Sequence, residues 1–374
     1  METVEERPLV SGQIADMLPE GIHPWLPTEL FRPKAAEKHT TCDRCAMLID
    51  GQSPDTGAAC ARVVFRPETK CCTYHPWLPS FLLGGLFADS DRGLDEGRAR
   101  VRAKIAAREG VTPAGIHAPR VSEHLYEIGR DAVFGRSASL RCPYYEERIG
   151  GCSVWKYREA VCSTWFCKYV EGEDGDLFWR AVRDYLRELE EALVIHALLE
   201  LGFAGEVIRG WLDRKQPLGP DDYDRRGPTD EEYARHWGTW AGREEELYVR
   251  TSGIVREIDP RSALALTGAR GRARLDAARR ATDVLERTEV PDPLRLSRRM
   301  TYAPDGAGGA VLTTYSAYDP ARISQSLLGA LREFDGRRSN AQALAAIADD
   351  HALKLSAGLL LALYRQRILV SDQP

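Results

Sequence analysis

Apolar residues recur at helical spacing along much of this chain, most clearly in "DGDLFWRAVRDYLRELEEALVIHALLELGF". There Phe178, Val182, Leu186, Leu189 and Leu193 return every three or four positions, with charge on the other face. That spacing predicts one long amphipathic helix. Its later part, "ALVIHALLELGFAG", is interrupted by charge and falls short of the run of about 18 apolar residues that a membrane span needs. His196 in this stretch reads as a core histidine. Leu94, Val101 and Ile105 place a helix over 92–109, and "SEHLYEIGRDAVFG" places another over 122–135. Two such helices would form a hairpin that reverses the chain. Further on, Thr229-Asp230-Glu231-Glu232 has the composition of a helix start. "SALALTGARGRARLDAARRATDVLER" reads as more helix, and "TEVPDP" ends it.

The pattern is different at both ends. Residues 1–40 are rich in proline and glycine and predict an irregular arm wrapped on the body. The segments "HTTCDRCAMLIDG" and "ETKCCTYHPWLPSFLLGGLFAD" are turn-rich. After Val290, "LRLSRRMTYA" and "AVLTTYSAYD" are β-prone and flank "PDGAGG", which predicts a hairpin. Helices over "ARISQSLLGALREFDG", "SNAQALAAIADDH" and "SAGLLLALYRQR" follow, and "ILV" reads as a last strand. The expected fold is mainly α with an irregular cysteine-rich metal-binding core and a small α+β winged-helix-like C-terminal domain. Its expected divisions are 1–170 for the cysteine domain with its arm, 171–290 for a helical body, and 291–374.

Composition narrows the function classes. A net charge of −5 over 374 residues gives no overall field for nucleic acid or an anionic membrane. Residues 291–374 carry ten basic and eight acidic side chains, so Arg298-Arg299 and Arg337-Arg338 make no strongly basic face. The acidic start "METVEERPLVSGQIADMLPEG" lacks the order of a secretory leader. We therefore expect a cytoplasmic protein with reduced thiols. No glycine-rich nucleotide fingerprint, phosphate loop or radical cysteine motif occurs.

Cysteine is where the chemistry concentrates. Four of the nine cysteines fall within Cys142–Cys167. Eight make two groups of four: Cys42, Cys45, Cys71 and Cys72, then Cys142, Cys152, Cys162 and Cys167. Cys42 and Cys45 have the spacing that lets two thiolates face one ion. Cys71 and Cys72 are adjacent, too close for an ordinary disulfide. Cys162 and Cys167 are five apart and do not share a helical face, so the chain must bend between them. Soft thiolate donors in this number select zinc or an iron–sulfur cluster. His39 and His75 flank the ligands as further candidate donors, and Cys60 in "ACARVVFRP" reads as a buried strand residue.

"TCDRC", "KCCTYHP" and "CPYYEERIGGCSVWKYREAVCSTWFC" together resemble the YkgJ-type cysteine-cluster proteins, a zinc- or iron-chelating family. The resemblance covers roughly residues 40–170 and assigns all eight clustered cysteines as metal ligands, with Arg158 at the family's arginine position. Glu159 stands where the family has proline, and 25 residues separate Cys45 from Cys71 where a few are common. The flagellin lysine N-methylases are similar in joining such cysteines to a helical body. "LREFDGRRSNAQALAAI" resembles the PqqD-like winged-helix domains, which implies a peptide or protein partner for the C-terminal domain.

The expected function is thus a non-catalytic adaptor or regulatory metalloprotein, with a 4Fe-4S cluster ahead of zinc. The alternative is a metal-dependent protein- or peptide-modifying enzyme. No membrane contact is expected. The 69 residues between Cys72 and Cys142 contain no low-complexity linker, which places both cysteine groups in one domain on the long helix.

Overall fold

The structure, a computed structural model, describes residues 11–37, 42, 45–48, 64–214, 217–306 and 308–372. The arm begins with β1 (Ser11–Gln13) and β2 (Pro33–Ala35), which pair antiparallel around three short 3-10 helices. Its apolar residues Ile14, Leu18, Ile22, Trp25, Leu26 and Leu30 are all buried. The Trp25 indole N–H donates to the Val255 carbonyl at 2.9 Å. The arm therefore belongs to the core.

Next come β3 (Leu78–Pro79), α1 (Ser80–Ala88) and α2 (Asp95–Ala107). The hairpin of β4 (Val111–Thr112) and β5 (Gly115–Ile116) lays β5 on β3, and α3 (Arg120–Val133) follows. Chain reversal between the two expected helices is thus made by this hairpin pinned to β3. Then come β6 (Tyr145–Glu146), β7 (Gly151–Cys152), α4 (Ala160–Thr164) and the long α5 (Gly172–Glu200).

The five apolar positions expected along α5 are all buried, together with Tyr185, Val194 and Ala197. Six further α-helices follow: α6 (Gly205–Leu212), α7 (Pro220–Tyr223), α8 (Asp230–Trp237), α9 (Glu244–Arg256), α10 (Pro260–Leu266) and α11 (Gly268–Leu285). Thr229 caps α8 reciprocally with Glu232, as its sequence predicts. The continuous helix expected from Ser262 is broken, because Gly268 takes a left-handed φ of +64° and starts a new axis. His196 is half-buried.

α5 is the axis of the body, with α1, α4, α9, α10 and α11 laid against it. α1 meets α9 at backbone distance. A Cβ on Gly84 would lie 1.8 Å from the Tyr248 carbonyl oxygen, so only glycine permits that approach. A buried ionic group ties in the arm: Lys34 meets Glu37 at 2.8 Å and Glu171 at 3.4 Å. The Trp179 indole donates to Glu37 at 2.8 Å. Among the described residues no helix is long and apolar enough to cross a membrane.

The C-terminal residues form a separate small α+β unit. It contains β8 (Arg295–Leu296), β9 (Thr301–Pro304), β10 (Gly309–Thr313), β11 (Ala321–Ser324), α12 (Gln325–Ala330), α13 (Asn340–His351), α14 (Ala357–Arg365) and β12 (Leu369–Val370). The strands order as β11–β10–β9, with β8 on β12. The expected hairpin is β9–β10. Residues 321–324, expected to begin a helix, are instead β11: they alternate in burial and pair with β10. The helix starts one residue later, where the Ser324 hydroxyl accepts from Leu327 N at 3.1 Å.

Candidate functional site

The cysteines stand on loops, and each loop is fixed by its own local device. Cys71 and Cys72 follow a tight turn in which Lys70 N donates to Arg66 O at 2.8 Å and Cys72 N to Thr69 O at 3.0 Å. Cys142 N donates to Cys72 O at 2.8 Å, which joins the second cysteine group to the first. Cys152 pairs with Tyr145 across β6–β7. The Lys70 ammonium donates to Cys42 O at 2.6 Å and also to Gly150 O, pulling the Cys42 loop onto the turn before Cys152.

α4 carries Cys162, and Glu159 is its cap. The Glu159 carboxylate accepts from Val161 N at 2.6 Å and Cys162 N at 2.8 Å. A neighbouring carboxylate on α5, Glu190, takes the Ala160 N–H. α4 ends at Thr164, and Trp165 is extended at φ −88°, ψ 120°. Cys167 thus leaves the helix, as the five-residue spacing requires.

All eight cysteines are free thiols, and their mutual influence makes them one group. Cys71 acts on Cys42, Cys45, Cys72, Cys142, Cys152 and Cys167. Cys142 and Cys152 act on Cys162. The two sequence groups are therefore brought together around the vicinal pair. Burial pushes six thiols up, Cys42 to about 12, while Cys72 is raised first by its hydrogen bond with Cys71 and then by burial. Cys71 alone is lowered, first by the hydrogen bond from Cys72 and then, against burial, by the nearby Arg158 charge. Arg158 lies 3.4 Å over the Trp155 ring and donates to Cys162 O at 3.2 Å.

An aromatic wall closes one side. Phe134 meets Phe65 and Trp165 at ring separations of 5.2 Å and Tyr318 at 5.7 Å. Cys45, Cys71 and Cys167 pack against this cluster. Tyr318 comes from the β10–β11 connection, which docks where Asp319 accepts the Tyr169 N–H at 3.3 Å. The C-terminal unit thus supplies part of the wall.

The His75 Nε2 is buried without a hydrogen-bond partner among the described residues. Its ring meets Tyr144 edge-on at 6.2 Å, and the charges acting on it are Lys104, Arg214 and His117. His39 and Cys60 lie outside the described residues. Sequence reasoning missed Lys70, Glu190, Phe65, Phe134, Trp165 and Tyr318. The first carries a local signal, a lysine immediately before the vicinal pair. The others act through packing between distant segments.

Among the described residues, no three His, Cys, Asp or Glu side chains are already placed as ligands to one ion. All eight cysteines of the two groups are free, and the charges of Arg158 and Lys70 act on Cys42. Comparison with family models, with characterised proteins and with solved structures finds no match to this chain.

Proposed function

We propose that this chain is a thiolate metalloprotein acting as a non-catalytic adaptor or regulator. Its ligands are Cys42, Cys45, Cys71, Cys72, Cys142, Cys152, Cys162 and Cys167, and its cargo is an iron–sulfur cluster ahead of zinc. The carrying observation is that cysteine loops from distant segments are tied together: Cys142 N donates to Cys72 O, Lys70 joins Cys42 to Gly150, and Cys45, Cys71 and Cys167 pack on one aromatic cluster. Burial disfavours ionisation of most of these thiols, and a bound cation would supply the charge that favours it. The Cys142–Cys72 backbone bond and the Lys70 bridge keep the loops in place. The resemblance to the YkgJ-type proteins and the all-sulfur donor set support iron–sulfur over zinc.

The enzyme reading draws on the buried pair Glu159 and Glu190 beside Cys162. Glu159 commits its oxygens to the α4 cap and Glu190 accepts from Ala160 N, which is a structural use of both. Neither of the two larger grooves has a cysteine in its lining. The adaptor reading therefore stands first. The winged-helix-like, PqqD-like reading of the C-terminal unit draws support from β9, an edge strand with Thr301, Tyr302 and Pro304 exposed. A partner peptide would add there as a strand.

The test is anaerobic purification with analysis for iron, zinc and acid-labile sulfide, alongside the visible spectrum. Cys71→Ser and Cys142→Ser are each expected to lower metal content severalfold, and Cys142→Ser to loosen the region around Cys42 in hydrogen exchange. Near-zero metal and sulfide in fresh wild-type protein would remove the proposal.

A further inference from the structure

A groove of about 750 Å³ runs along the outer side of the aromatic wall, between the turn after Val64 and the end of α3. Its apolar floor is Val64, Phe65, Ala132 and Val133; its lining holds two guanidiniums, Arg66 and Arg136, and no carboxylate. The floor is rigid. Gly135 has a left-handed φ of +72°, and a Cβ there would sit 2.0 Å from the Phe65 ring, so the ring is seated on bare backbone. Gly135 also accepts Arg66 N at 2.8 Å and the Thr69 hydroxyl at 2.8 Å. The Arg136 Nε is buried and has no hydrogen-bond partner among the described residues, and Arg66 is exposed at the rim. The Arg136 guanidinium also donates to the Asp131 carbonyl, and the positive charge of the two arginines would attract an anionic group in the groove.

The surface continues onto α3. Leu125, Ile128 and Ala132 lie on one face of that helix, with Leu125 42% and Ile128 70% exposed. An open groove running into an apolar helix face suits an extended or helical chain better than an enclosed small molecule. The charge sign selects the occupant. Asp131, the nearest α3 carboxylate, is outside the groove lining.

We propose that this groove and the Leu125–Ile128 stripe bind an acidic amphipathic segment of a partner protein, its carboxylates on Arg66 and Arg136 and its apolar side chains over Phe65 and Val133. The site uses no cysteine and stands apart from the metal reading. Phe65 both lines the groove and belongs to the cluster against which Cys45, Cys71 and Cys167 pack.

The probe is a labelled peptide alternating glutamate and leucine, titrated into the full chain by fluorescence anisotropy. Controls are peptides alternating lysine with leucine and glutamate with serine, and octanoate as a competitor. Binding is expected for the glutamate–leucine peptide alone, weakening with salt. Arg66→Glu is expected to lower its affinity about tenfold, and Ile128→Asp severalfold, with helical content unchanged. Equal binding of the lysine peptide, full occupancy by octanoate at the peptide's expense, or wild-type affinity in both variants would overturn the proposal. Metal content is measured on the same samples. Peptide binding that survives loss of metal leaves the groove standing without the metal centre, and metal retention without peptide binding does the reverse.

Discussion

In the C-terminal unit, Leu294, Leu312, Leu331, Phe334, Ile347 and Leu369 meet in one apolar core, each no more than 2% exposed. Around the cysteines the fully buried apolar set of the aromatic wall is Met47, Phe65 and Phe134. The C-terminal helices begin on Ser324, Ser339 and Ser356, whose hydroxyls accept backbone N–H groups at 3.0–3.2 Å. The short helix of the thiol region begins on a buried glutamate. In the same region His75 Nε2, His117 Nε2 and the Tyr144 hydroxyl are buried without partners among the described residues. One unit is made stable by aliphatic burial and regular caps. The thiol region is split between two cores, with Cys142, Cys72 and Cys152 in the main helical core and Cys45, Cys71 and Cys167 on the small aromatic one. It also holds buried polar atoms that cost free energy, so a ligand would add to its stability.

The sharpest way to break this contrast is to remove metal. A chelator with reductant is expected to cost the thiol region on the order of 10 kcal/mol of apparent binding free energy. Hydrogen exchange over residues 64–170 would then lose its protection while α13 keeps it. Equal loss in α13 would show that the two regions fold as one unit and that the contrast is false.

Ile347→Ala approaches from the other side. Ile347 is fully buried in the C-terminal core, and truncation is expected to cost about 2–5 kcal/mol. Chemical denaturation should show an earlier transition for this unit, with metal content and exchange around Cys142 unchanged. A matching drop in metal content would tie the centre's integrity to the distant core.

The smallest effect is on acid sensitivity. Burial, and after it the Arg214 charge, push His117 down to about 3 from its ordinary 6.5. The unfolded chain takes up a proton below pH 6.5 while the folded ring stays neutral, so stability is complete above 6.5. It then falls toward pH 3 by up to about 1.4 kcal/mol per pH unit. His117→Phe keeps a flat ring against Trp77, stacked at 5.6 Å in the wild type. That variant is expected to flatten the stability profile between pH 6.5 and 5. An unchanged slope would remove His117 as its source, leaving buried His75, which is shifted in the same direction.

Much of this molecule was legible along the chain because periodicity is a local property. The α5 face, the Thr229 cap and the β9–β10 hairpin each depend on residues a few positions apart. The misreadings came from longer-range pairing. Residues Ala321–Ser324 carry a helix-compatible pattern, yet β10 offers them a sheet edge, and backbone bonds to a neighbouring strand outweigh weak local propensity. The hairpin expected of two helices is made by β4 and β5 because β3 supplies the partner strand.

The candidate site divides the same way. Its eight cysteines and the bend before Cys167 could be picked out from residue type and spacing, since side-chain chemistry and helical geometry are written in the sequence, while Arg158 was marked only by the resemblance to the YkgJ-type proteins. Their meeting around Cys71–Cys72 depends on a hydrogen bond from Cys142 N to Cys72 O and on Lys70 spanning two loops. The lowered pKa of Cys71 among raised neighbours depends on which thiol and which guanidinium lie beside it. Tyr318 reaches the thiols from about 150 residues downstream of Cys167 because the β10–β11 connection docks on Tyr169. Residue identity and local period are fixed by the chain, whereas which distant groups share a volume is decided only when packing minimises exposed apolar surface and unpaired polar atoms together.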